Sequence, residues 1–235
     1  MEDRKKALLS AIINEHIDNA SAVGSRLLVD KYGFNVSPAT IRNDMMELEE
    51  EGYLTHQFTS SGRIPTEKGW KWHLEHIAGK EIEHQDREFL QKSVESGYSG
   101  TADMRIKKLA KALAELSKET VIVAFTPDDI YYTGISHLFS QPEFRTFDVI
   151  SRMSEIIDHL DEVVSRLFPE VNSSITARIG SDNPFGSACS ALFTQCKVNS
   201  TQNGMMAILG PMRMDYATHM SRLKCAQQVT ETSFA

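Results

Sequence analysis

Three polar side chains set close together, Thr40, Arg42 and Asn43, have the chemistry needed to read base edges. An arginine can donate twice to guanine, an asparagine can both donate to and accept from adenine, and a threonine methyl can touch that of thymine. Just upstream, Ser37 and Ala39 are small, and a helix starting there would present free backbone amides to a phosphate, to which Arg26 could add a guanidinium. Further on, Ser60-Ser61-Gly62-Arg63 sets one long cation beside small residues, which suits a hairpin tip that follows a phosphate backbone or enters a minor groove. Arg26, Ser37, Ala39, Thr40, Arg42, Asn43, Ser60, Ser61, Gly62 and Arg63 are therefore the candidate contacts to double-stranded DNA.

The flanking sequence supplies the elements that would hold them. Leu8, Leu9, Ile12, Ile13, His16 and Ile17 recur at helical spacing and predict a first helix over about 2–18 with one apolar stripe. Gly24-Ser25 offers an N-cap for a second helix through Leu27, Leu28 and Tyr32, which Gly33 ends by taking a positive φ. Ser37-Pro38 is a strong start for a third, because the serine oxygen caps free amides and the proline N–H is not missed there. That helix is expected to run to Glu51, with Ile41, Met45 and Leu48 inward and Ser37, Ala39, Thr40, Arg42, Asn43 and Met46 outward. Residues 53–58 alternate in part, 59–62 are turn chemistry and Arg63-Ile64-Pro65 leads back, which reads as a β-hairpin. Thr66 can cap a fourth helix carrying Trp70, Leu74 and Ile77, so residues 1–78 read as a winged helix-turn-helix, a DNA-binding domain.

Charge gives that third helix a polarity. The run Glu47-Leu48-Glu49-Glu50-Glu51 would be repelled by phosphate, so its second half should point away from DNA. A formal net charge of −7 confines any polyanion-binding surface to a local patch. Helix-turn-helix shapes also serve as protein–protein modules. DNA is favoured because the outward helix face and the hairpin tip carry polar or cationic side chains without aliphatics.

With 41% hydrophobic residues in 235, the chain has room for two small cores. Residues 79–103 are polar, with a charged helix near 83–95 and a Gly97-Tyr98-Ser99-Gly100 break, and read as a helical linker. From 104 to 235 the pattern is α+β: an amphipathic helix with Ile106, Leu109 and Leu113, a strand over 121–125 buried on both faces, a long helix near 145–168, a strand near 175–179, a hairpin of 191–198 with 205–209, and a last helix with Tyr216, Met220 and Leu223. In the long helix Val149, Met153, Ile156, Leu160, Val163 and Leu167 form a heptad seam that could pair across a two-fold axis. Ile150, Ile157 and Val164 widen the same face, as they would if the stripe packed on its own sheet.

Other chemistry finds little support. There is no phosphate-binding glycine loop, nucleophile elbow or paired-carboxylate setting, so neither an enzyme nor a cofactor is expected. His73-x-x-His76 lacks a carboxylate or cysteine to complete a metal set and reads as two exposed histidines. Ser181-Asp182-Asn183-Pro184 and Arg213-Met214-Asp215-Tyr216 are polar clusters of the kind a small-molecule sensor would use, yet turn and N-cap roles explain them as well. Cys189, Cys196 and Cys225 lack disulfide or zinc spacing and read as buried thiols. The N-terminus lacks a secretory signal, and the longest apolar run, 121–125, is far short of the roughly 20 residues of a membrane span, so a soluble, cytoplasmic protein is expected.

Val23-Gly24-Ser25, Val36-Ser37-Pro38-Ala39-Thr40-Ile41-Arg42-Asn43-Asp44-Met45 and the segment from Thr59 through Gly69 closely resemble the N-terminal domain of HrcA repressors. The segments 136–144, 178–184 and 208–217 are similar, in order, to that family's C-terminal signatures. The resemblance implies a winged helix joined to a GAF-like domain of reduced size. It also implies a homodimer on an inverted-repeat operator upstream of heat-shock chaperone genes, repression, and modulation by the GroEL chaperonin. Against that pattern the chain is short between Phe125 and Ile130, where the family carries more of the GAF-like domain and an inserted dimerisation domain.

Overall fold

The computed structural model describes residues 1–56, 62–95, 101–145 and 147–234, in two compact units, Met1–Ile77 and Ala78–Ala235. In the first, α1 (Asp3–Asn19) buries Leu8, Leu9, Ile12 and Ile13 completely, as its periodicity requires. Helix α2 (Ser25–Tyr32) has Gly24 at its cap position with no side-chain cap, so Ser25 is its first residue and does not cap it. Helix α3 (Pro38–Glu50) begins as its sequence dictates, with Ser37 Oγ accepting the Thr40 N–H at 3.1 Å and proline at the first position. Strands β1 (Leu54–Thr55) and β2 (Ile64–Pro65) pair antiparallel, and α4 (Glu67–His76) starts at Thr66, whose hydroxyl accepts the Gly69 N–H at 3.2 Å. Trp70 is 2% exposed and closes this small core.

One expectation here is corrected. His76 is exposed as expected, stacking on Trp72 with ring centroids 4.4 Å apart, but His73 is buried, edge-on against Trp70.

In the second unit, 79–103 is more than a linker. Its helix α5 (His84–Glu95) packs on α6 (Ala102–Ser117) and α10 (Tyr216–Phe234), burying Leu90 and Val94, and Asp86 accepts from Arg222 Nε at 2.7 Å. Leu90 and Val94 are one turn apart, which gives an otherwise charged helix a single face to bury. The expected glycine break at 97–100 lies outside the described residues.

Strands β3 (Thr120–Thr126), β4 (Asp129–Thr133), β5 (Thr176–Ile179), β6 (Cys189–Lys197) and β7 (Asn203–Pro211) form one antiparallel sheet in the order β4-β3-β7-β6-β5. Ile122 and Ala124 face a core shared with Leu138 of α7 (Ile135–Ser140), Met153 of α8 (Phe147–Asp158) and Leu160, Val164 and Leu167 of α9 (Leu160–Leu167). Val121, Val123 and Phe125 alternate with them toward the opposite face, against which α6 and α10 pack. Burial on both faces explains the unbroken apolar run of β3. Strand β4 was not anticipated; it closes a tight hairpin with β3, in which Thr126 Oγ1 accepts the Asp129 N–H at 3.0 Å.

The expected long helix over 145–168 is broken at His159, which adopts φ −115° and ψ 32° between α8 and α9. The heptad seam is thereby accounted for. Met153, Leu160, Val163 and Leu167 are buried in their own core, with Val149 and Ile156 half-buried against it.

Glu119, just before β3, is 4% exposed. Its Oε1 lies 3.9 Å from Nε2 of the equally buried His219 on α10, and its Oε2 has no hydrogen-bond partner among the described residues. A Cβ on Gly210 of β7 would stand 2.6 Å from this carboxyl, so the glycine makes its seat. Burial raises the Glu119 pKa above its ordinary value of 4.5, against the opposing pull of His219.

Two outcomes follow. The folded protein holds the Glu119 proton more tightly than the unfolded chain, so this stabilisation is complete below the ordinary carboxylate pKa and is lost as pH rises through the raised one. The urea midpoint of Glu119→Gln is therefore expected to gain on that of the parent as pH increases from 4.5 upward, and a gap that does not change with pH would refute the assignment. Leu160→Ala should cost about 2–5 kcal/mol of stability and leave the oligomeric state unchanged, as measured by denaturant titration and light scattering.

Candidate nucleic-acid interface

Helix α3 is divided along its length. Toward its start, Ser37, Ala39, Arg42 and Asn43 are exposed and Thr40 is half-buried, its hydroxyl 3.0 Å from Ser37 Oγ. Arg26, in the first turn of α2, is exposed as well. Thr40, Arg42 and Asn43 thus point outward from one end of one helix, held by the buried Ile41, Met45 and Leu48 beneath.

The later half is acidic, and its carboxylates are taken up by cations of other elements in the same unit. Arg4 Nε and Nη2 donate to the buried Asp44 at 2.7 and 3.0 Å. Lys5 Nζ lies 2.5 Å from Glu47 and 3.3 Å from Glu51. Glu49 accepts from Arg63 Nε at 2.7 Å on one oxygen and contacts His56 Nδ1 with the other. The negative charge that would oppose phosphate is partly compensated from within the unit.

Arg63 is consequently not the free hairpin cation that the sequence suggested. Its side chain is 14% exposed and bound to Glu49, and its backbone N–H and C=O both pair with Val23 at 2.9 Å. The reason lies next door. Gly62 crosses Val23 so closely that a Cβ would meet that backbone at 2.5 Å, which draws residue 63 against the body of the unit. Ser60 and Ser61 lie outside the described residues.

Between α3, the start of α2 and the hairpin base is a cleft of about 770 Å³, lined by Gly24, Arg42, Met46, Glu50, His56 and Arg63 among others. Met46 lies outward as its spacing predicts, so the outward face of α3 is not free of apolar side chains. Met46 is 46% exposed. Its spacing of one helical turn from Arg42 was the available signal.

A model of the HrcA protein C terminal domain matches residues 40–220. The chain belongs to the HrcA family. It is similar to the heat-inducible transcription repressor HrcA of Carboxydothermus hydrogenoformans, 24% identical over 320 positions that cover 92% of this chain and 93% of that one. The HrcA of Frankia casuarinae is 31% identical over 196 positions, covering 78% of this chain and 57% of its own length. The first alignment spans 320 positions against a chain of 235, so the Carboxydothermus repressor carries at least 85 positions with no counterpart here. The fold matches that of a crystal structure described as a hypothetical protein, with TM-score 0.76, 16% identity and 98% coverage of both chains.

Several polar residues of the second unit have partners within it. Arg213 is bound by Glu143 and Gln141, Tyr216 Oη donates to Met212 O at 2.7 Å and lies 2.8 Å from Ser190 Oγ, and Asp215 caps α10 by accepting the Thr218 N–H at 3.1 Å. Cys189, Cys196 and Cys225 are free and buried, and burial pushes the thiols of Cys189 and Cys196 up to about 12. No helix among the described residues is long and apolar enough to cross a membrane.

The Glu49–Arg63 contact is open to a double-mutant cycle. Glu49→Gln and Arg63→Gln should be coupled by about 0.5–3 kcal/mol in the stability of the chain. If coupling is absent and only DNA affinity falls, Arg63 is a phosphate contact after all.

Proposed function

We propose that this chain is a transcription repressor of heat-shock genes that reads DNA through the outward face of α3. One observation carries the reading: Ala39, Thr40, Arg42 and Asn43 stand together on the uncovered end of a helix whose acidic half is bound to cations of the same unit. In this reading Met1–Ile77 is a winged helix-turn-helix. Helix α3 enters a major groove by its N-terminal half, Arg42 pairs with a guanine and Asn43 with an adenine, and Ser37 and Arg26 engage phosphates. Ser60, Ser61 and Gly62 are proposed as contacts to the phosphate backbone. Arg63 sets the hairpin base.

The second unit is a reduced GAF-like domain with a dimerisation and regulatory role, so that two chains meet an inverted-repeat operator with α3 helices about 34–36 Å apart or a multiple of that. Control by heat, and by the GroEL chaperonin, belongs to the same proposal. The Frankia and Carboxydothermus relatives, which carry the name heat-inducible transcription repressor, support it.

The test is a fluorescence-anisotropy titration of the full chain against a chaperone-operator inverted repeat and a scrambled duplex at fixed physiological salt. A preference of about 10³ or more for the repeat, with two chains per duplex, is expected. Arg42→Ala should cost roughly 1–3 kcal/mol on the repeat and relax base choice at one position. Equal weak binding of the parent to both duplexes would reject sequence-specific repression.

A further inference from the structure

Resting on the reading that α3 enters a major groove, we propose that Met46 is a specificity-determining residue that recognises the methyl group of a thymine. Three observations meet at this side chain. First, it is spare. Met45 before it is 4% exposed and Leu48 after it is fully buried, so the core takes its methionine from position 45, and Met46 is left 46% exposed.

Second, it shares a surface with the base-reading arginine. Met46 is four residues on from Arg42, about 6 Å along the helix axis, and both line the cleft between α3 and the hairpin base. Residues four apart lie on one helix face, so a base edge near the Arg42 guanidinium is within reach of the Met46 thioether as well.

Third, it marks a limit. Glu47 follows it directly and is bound by Lys5, and Glu49 and Glu50 line the same cleft, so Met46 is the last outward position before carboxylates that phosphate would repel. At that boundary a neutral side chain adds no charge of its own to oppose phosphate. The thymine C5-methyl is the apolar group that the floor offers. A flexible, polarizable thioether suits it, because it can settle on a methyl without demanding a fixed geometry. Arg42 and Met46 together would read a guanine and a thymine within about two base pairs of each other, given a base-pair rise of about 3.4 Å.

The experiment starts from duplexes enriched from a random library by the full chain. Each thymine of the enriched sequence is replaced in turn by deoxyuridine, which removes only the methyl, and affinities are measured for the parent and for Met46→Ala. The substitution is at an exposed site, so folding is retained, as a melting curve will verify.

At one thymine near the guanine lost to Arg42→Ala, the parent is expected to bind about four-fold more weakly when the methyl is removed, the worth of one apolar carbon taken from water. Met46→Ala should show that loss on the thymine duplex and no further loss on the uracil duplex. If the parent tolerates uracil at every position, or if Met46→Ala stays as sensitive to uracil as the parent, the assignment of Met46 is overturned while base reading by Arg42 stands. If no sequence is enriched, base reading by α3 fails and this inference with it.

Discussion

The first unit depends on where the negative charge of α3 is directed. Asp44, Glu47, Glu49 and Glu51 each meet a cation from another element: Arg4 and Lys5 from α1, Arg63 from the hairpin base. Such contacts are individually small where they are exposed, but Asp44 is 4% exposed and requires its partner. Their joint effect is orientation. Helix α3 is held by its acidic half, which leaves the half bearing Arg42 and Asn43 uncovered.

A different constraint governs the second unit. A single antiparallel sheet carries helices on both faces, so β3 and β7 bury nearly every side chain and their edges must be finished by short-range devices. Glu119, seated where only Gly210 leaves room and facing His219, is a buried carboxyl kept in spite of the desolvation it suffers. Around it lie the residues most like the family's C-terminal signatures, and Arg213, Asp215 and Tyr216 all find partners within the unit.

Five strands close into a sheet with α7, α8 and α9 covering one face, and the Thr126–Asp129 turn joins β3 to β4. The apolar stripe of α8 and α9 is used up in this covering. That seam therefore packs within its own unit.

Local physics was sufficient for much of this protein. The Ser37-Pro38 start of α3, the Thr66 cap of α4, the positive φ of Gly33, the period-3.6 stripe of α1 and the buried run of β3 all follow from backbone sterics and burial acting within a few residues, and each was legible in the sequence. So was the outward face of α3, which follows from the three buried residues opposite it. What the sequence left open depends on partners far away along the chain. Arg63 was read by its type as a free cation until Glu49 and Val23 claimed it, His73 as exposed until Trp70 covered it, and 79–103 as a linker until α6 and α10 offered Leu90 a place to bury. Likewise only packing shows that one long apolar pattern breaks at His159, because periodicity records which face is buried and not what buries it. Side-chain type fixes the chemistry that a residue can perform, whereas its neighbours in space decide whether that chemistry is already spent.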